Sequence, residues 1–176
     1  QCAYKYKLRY IDKIKMLDNY EPSNALIIGT ALHTGIEKDI RTAIDWYYNQ
    51  YPVITDEHIN EAIKLEKVIA MMKEQLPSGG EFEVEIDDEN FKGFIDYLVE
   101  VEPNVYDLYD FKYSNNVDRY LESDQLHVYK YYFEKNNPLK RIRNLYFIFA
   151  PKVQLKQKSK NKTNKFDENI QEFRKR

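Results

Sequence analysis

At 176 residues with 43% hydrophobic content, the chain is long enough to bury a real core as one domain, and a formal net charge of −2 names no partner. A single cysteine, Cys2, excludes an internal disulfide framework and any all-cysteine metal cluster within this chain. No apolar run approaches membrane-spanning length and no signal peptide is visible, so the expected compartment is a reducing cytoplasm; the start at Gln1, without Met, reads as a trimmed piece.

Charge and aromatics are unevenly distributed. Sixteen tyrosines and nine phenylalanines cluster among lysines. Residues 151 to 176 carry nine Lys or Arg against three Asp or Glu, which reads either as a polyanion-binding arm or as a solvated loop.

In chain order, Tyr6, Tyr10, Ile14 and Leu17 fall at helical spacing and predict a first helix over 3–17 with a basic flank. A second helix is expected from about Thr30, as its N-cap, to about Asn49, with Leu32, Ile36, Ile40, Ala43 and Tyr47 facing a core and His33 beside that stripe. A third, capped by Thr55 or Asp56, runs to about Gln75. Pro77-Ser78-Gly79-Gly80 then divides a helical part, 1–76, from a strand-rich part, 81–150. Phe82, Val84 and Ile86 alternate with acids and predict a half-buried strand. Phe91 to Val101 and Val105 to Tyr113, joined by Glu102-Pro103-Asn104, complete an antiparallel meander. A helix over 119–135 follows, with Leu121, Val128, Tyr131, Tyr132 and Phe133 as its apolar positions. It connects to an apolar strand over 142–150, predicted to lie parallel to the strand at 105–113 through a right-handed crossover. The tail reads as a polar segment over 152–165 and a last helix over 166–176 capped by Asp167.

The chemistry-bearing stretch is Gly93 to Lys112. Read with period two, Tyr106, Leu108, Asp110 and Lys112 share a strand face, and hairpin spacing brings Asp96 onto the neighbouring strand. Two carboxylates, an ammonium and a histidine from a preceding helix are the groups that bind a hard divalent cation and its water. Oxygen ligands suit Mg²⁺ or Mn²⁺, as one or two ions, and a histidine is better tolerated by Mn²⁺. Such a centre activates water for in-line attack on a phosphodiester. Asp-x-Lys alone is common, and each carboxylate taken singly reads as a strand-end surface residue.

Gly29-Thr30-Ala31-Leu32-His33, Gly93-Phe94-Ile95-Asp96, Asp110-Phe111-Lys112 and Gln125-Leu126-His127-Val128-Tyr129 occur in that order. This succession resembles the RecB-like exonuclease branch of the PD-(D/E)XK nuclease superfamily over roughly residues 1 to 150. The resemblance implies an α/β (α+β) fold with a restriction-endonuclease-like mixed sheet of about four strands flanked by helices. It implies a Mg²⁺- or Mn²⁺-dependent deoxyribonuclease, an exonuclease in recombination, repair or phage DNA processing, acting on DNA beside a helicase or recombination partner in a bacterial or phage-infected cell. By resemblance, His33, Asp96, Asp110 and the carbonyl of Phe111 bind the metal, Lys112 is catalytic, and Gln125 with Tyr129 serves the DNA and the active site. Glu37, Glu83 and Glu85 are lesser candidates that complete or orient a metal shell. Some members of the branch bind an iron–sulfur cluster through four cysteines; Cys2 matches the first, but no cysteine follows, so the resemblance is to cluster-free members, phage-encoded ones among them. The competing reading is a catalytically silent DNA-binding module with the same fold.

Overall fold

The computed structural model describes residues 2–14 and 20–152. The tail beyond Lys152, its expected last helix and Leu17 of the expected first helix lie outside the described residues.

The sheet has four strands in the order β1-β2-β3-β4, with β1 Glu81–Asp88, β2 Phe91–Glu102, β3 Val105–Tyr113 and β4 Arg141–Ala150. The first three form the antiparallel meander, and β4 lies parallel to β3, as the crossover helix requires. At the β2–β3 turn Asn104 takes a φ of 61° and donates its backbone N–H to Glu100 Oε1 at 2.7 Å. Helices α2 (Ala25–Glu37), α3 (Ile40–Tyr48) and α4 (Asp56–Gln75) cover one face, burying Leu32, Ile36, Ala43, Tyr47 and Ile69 against Tyr97, Val99 and Phe111. Helix α6 (Gln125–Asn136) covers the other, where Leu126 and Phe133 meet Ile86, Ile95, Leu98, Leu108 and Ile142. Each core removes apolar surface from water, at roughly 25 cal/mol per Å². The result is a mixed sheet between helical layers, a restriction-endonuclease-like core.

Several expected elements are divided. The first helix is a short α1 (Ala3–Tyr6) followed by a π turn over Lys7–Ile11, and Tyr6, Tyr10 and Ile14 are exposed. The wider π turn breaks the 3.6-residue spacing that placed them on one face. The second helix starts earlier, because Asn24 caps it by accepting the Leu26 N–H at 3.0 Å, while the Thr30 hydroxyl bonds back to the Leu26 carbonyl inside the helix. It ends at Lys38, where Asp39 in extended backbone opens α3 by accepting the Thr42 N–H at 2.8 Å. Thr55 precedes α4 as expected, and its backbone N–H is accepted by His58 Nδ1 at 3.1 Å. The helix expected over 119–135 is a single turn, α5 (Asp118–Leu121), and then α6; Ser123 Oγ accepts the Gln125 N–H at 3.3 Å. Leu121, on the separate turn α5, and Tyr131, on α6 away from its buried Leu126 and Phe133, were both expected in the apolar stripe and are exposed.

The expected strand alternation also fails at one point. Phe82 packs with the core under α2 to α4, but Val84 and Ile86 pack under α6. Between them Glu83 has a φ of 51°, and the β1–β2 pairing passes from Phe82↔Tyr97 to Val84↔Ile95 without including Glu83 or Asp96. A left-handed residue turns the following side chains onto the opposite face. On β2, Ile95 and Tyr97 consequently divide between the two cores.

Candidate active site

The site lies where β2 and β3 part. Their pairing runs from the turn as far as Tyr97↔Tyr109; beyond it β2 continues beside β1, and β3 beside β4. At the fork a side chain replaces the ladder, as Asp96 Oδ2 accepts the Phe111 N–H at 2.6 Å.

Asp110 comes from the α6 face of β3 and is 1% exposed; Asp96 is 9% exposed. Gln125, at the first position of α6, donates Nε2 to Asp110 Oδ1 at 3.2 Å and to the Tyr129 hydroxyl at 3.1 Å. The four-residue spacing thus acts as expected, with both side chains on one face of the helix. Tyr129 approaches because Gly93 lacks a side chain, for a Cβ there would stand 3.2 Å from Tyr129 Cε1 and 2.9 Å from Phe91 Cζ. Lys112 Nζ lies 2.6 Å from Asp110 Oδ2, an ion pair that offsets the buried carboxylate. Lys112 also stands over the rings of Tyr120 and Phe147, at 5.5 and 5.9 Å from their centroids.

From the other face, His33 on α2 brings Nε2 to 3.3 Å from the Phe111 carbonyl and Nδ1 to 3.5 Å from Asp96 Oδ1. Glu83 Oε1 is 3.8 Å from the same Nδ1. His33, Glu83 and Asp96 each offer a donor atom, all within 4.8 Å of one another. Glu37 is exposed at the end of α2, and Glu85 pairs with Lys92 at 2.6 Å, so neither is brought to this group.

Burial dominates the electrostatics. It pushes the Asp96 carboxyl up to about 6, against the pull of His33, and neighbouring Asp110 adds to the rise. Burial also raises Asp110, against the opposing ammonium of Lys112. Tyr129 is raised by burial as well, while its bond to Gln125 works the other way.

The residues fit a divalent cation. His33 Nδ1 faces the same space as the Glu83 and Asp96 oxygens, with Nε2 beside the Phe111 carbonyl. Lone-pair groups gathered at partly dry positions call for a cation.

A family model of the PD-(D/E)XK nuclease superfamily matches residues 1–176, the whole chain. The fold and the fork of carboxylates agree with it, and the chain belongs to this superfamily of nucleases, which use divalent metal ions. No curated protein and no solved structure matches the chain.

Of the residues expected at the site, His33, Asp96, Asp110, Phe111, Lys112, Gln125 and Tyr129 lie at this fork, as does Glu83 of the lesser candidates, whereas Glu37 and Glu85 do not; the donor atoms that converge are those of His33, Glu83 and Asp96, while Asp110 is held by Lys112 and Gln125. Sequence reasoning missed Tyr120 and Phe147 around Lys112. Phe147 follows the alternation of β4, but Tyr120 lies on the one-turn α5, which helical periodicity over 119–135 does not separate from α6. No helix among the described residues is long and apolar enough to cross a membrane.

Proposed function

We propose that this chain is a Mg²⁺- or Mn²⁺-dependent deoxyribonuclease that degrades DNA from its ends. The observation that carries this reading is the meeting of two buried carboxylates, Asp96 and Asp110, with Lys112 at the point where β2 and β3 separate. Asp96, Asp110, His33 and the Phe111 carbonyl would hold the cation. A divalent ion there supplies the Lewis acid that makes water nucleophilic at neutral pH and offsets charge on the phosphate.

The chain's own groups do the rest. Lys112, held between Asp110 and the Tyr120 and Phe147 rings, directs its ammonium at the space where a phosphate oxygen gains charge in the transition state. Gln125 fixes Asp110 through Oδ1, which keeps Oδ2 turned to Lys112 and the cleft. Asp96 holds β3 by the Phe111 N–H, so the Phe111 carbonyl is presented beside His33. In hydrolysis the water oxygen bonds to phosphorus as the bond to the leaving sugar oxygen breaks; the water gives up one proton and the leaving oxygen takes one.

The order of motifs supports the RecB-like branch, and with it a role in recombination, repair or phage DNA processing beside a helicase in the bacterial cytoplasm. A time course on end-labelled linear and closed circular DNA with Mg²⁺ and Mn²⁺ tests the reading. Linear DNA should shorten from its ends while circles persist. Cleavage of circles would overturn the exonuclease assignment, and tight binding without cleavage under either metal would make the chain a silent DNA-binding module.

A further inference from the structure

We infer that Glu83 is a cation ligand of this cleft, making its α2 side a site of one imidazole and two carboxylates that takes Mn²⁺ in preference to Mg²⁺. The inference rests on the metal-dependent reading above and adds a β1 residue that the motif order does not contain.

The backbone is the first ground. Glu83 has a φ of 51° within a strand, a left-handed conformation that L side chains avoid, and the paired register leaves it out. A glutamate needed only for solubility sits in ordinary extended backbone, as Glu85 does two residues later. The direction of the side chain is the second. Glu83 Oε1 lies 3.8 Å from His33 Nδ1, and among the described residues this is its only ion pair. The nearby ammonium of Lys92 pairs with Glu85 and Asp87 instead. A third ground is the composition of the group. Donor atoms of His33, Glu83 and Asp96, one imidazole nitrogen and two carboxylate oxygens, converge within 4.8 Å.

A divalent cation between a neutral imidazole and two carboxylates is balanced in charge. Mg²⁺ favours an all-oxygen octahedron with retained waters, whereas Mn²⁺ accepts an imidazole readily, which gives the preference. The Glu83 side chain is 43% exposed, so the cation enters from solvent on this side.

The test uses Mn²⁺ alone, without DNA. Calorimetric titration and melting curves, in EDTA and in Mn²⁺, compare the wild type with Glu83→Gln, Glu83→Gly and Asp96→Asn. Both Glu83 variants should bind Mn²⁺ about 10-fold to 100-fold more weakly. Glycine accepts the left-handed backbone, so Glu83→Gly should raise the EDTA melting temperature by about 2–4 °C while losing Mn²⁺ affinity. That opposite pair of effects supports a strained ligand. Wild-type Mn²⁺ affinity in both Glu83 variants, with Asp96→Asn deficient, would overturn the role of Glu83 and leave the metal-dependent nuclease standing. A lower EDTA melting temperature for Glu83→Gly would make Glu83 a structural prop and overturn it equally. Equal affinity of the wild type for Mg²⁺ would overturn the preference, and no divalent binding by the wild type would overturn the metal-dependent reading itself.

Discussion

The two sides of the cleft use the same kinds of residue and resolve their charge differently. On the α6 side, Asp110 has a resident cation, Lys112 at 2.6 Å, and an amide donor from Gln125. On the α2 side, the Asp96, Glu83 and His33 donor atoms face one another, and among the described residues no Lys or Arg pairs with either carboxylate. The α6 side already carries a counter-charge from within the chain, and the α2 side depends on a cation from solution for its own. A buried carboxylate is costly unless paired, so the unbalanced side marks where the fold gives up stability to bind.

The largest expected effect tests the α6 side. Asp110→Ala and Lys112→Ala should each lower DNA cleavage by about a thousandfold or more. Gel assays on labelled DNA read this directly, and cleavage persisting in both variants would remove the fork from the mechanism. A smaller loss is expected one step back from the chemistry. Gln125→Ala frees Asp110 Oδ1 and should cost about 10-fold to 100-fold in kcat, with little change in KM and an unchanged melting temperature. A matching fall in melting temperature would make Gln125 a packing residue only.

The smallest expected effect sharpens the α2 side through pH. Asp96 has a folded pKa near 6, above its ordinary value, so its contribution to stability is full below about pH 4 and is lost as pH rises through 6. In EDTA at pH 7, Asp96→Asn, which still accepts the Phe111 N–H, should therefore be more stable than the wild type by on the order of 2 kcal/mol. The difference should vanish near pH 4, and Mn²⁺ should stabilise only the wild type. Denaturant midpoints across pH check this, and a pH-independent difference would count against a strained, buried Asp96 charge.

Much of the architecture was legible because it is written in short-range patterns. Alternation over 105–113 placed Asp110 and Lys112 on one face, and the Glu102-Pro103-Asn104 turn brought Asp96 near them, where it accepts the Phe111 N–H just past the end of the β2–β3 ladder. The parallel pairing of β3 with β4 followed from a helix between two apolar runs. Helix ends were less legible. Asp39 and Ser123 interrupt helices without Gly or Pro, through local side-chain bonds whose strength against the helix depends on what each segment can bury. The exposure of Tyr6, Tyr10 and Leu121 has the same origin, for an apolar stripe describes a helix face and not whether anything covers it.

By itself, the sequence determined the order of elements, the two carboxylates with their lysine, and the glutamine and tyrosine one turn apart. These depend on periods of 2 and 3.6 and on residues close in the chain. Only the tertiary structure decided that His33 reaches the Phe111 carbonyl from 78 residues away, that aromatic rings enclose Lys112, and that Glu83 turns left-handed toward the cleft. Each of these depends on how two separately formed layers meet, and the sign of one backbone angle at Glu83 follows from that meeting rather than from any preference of glutamate.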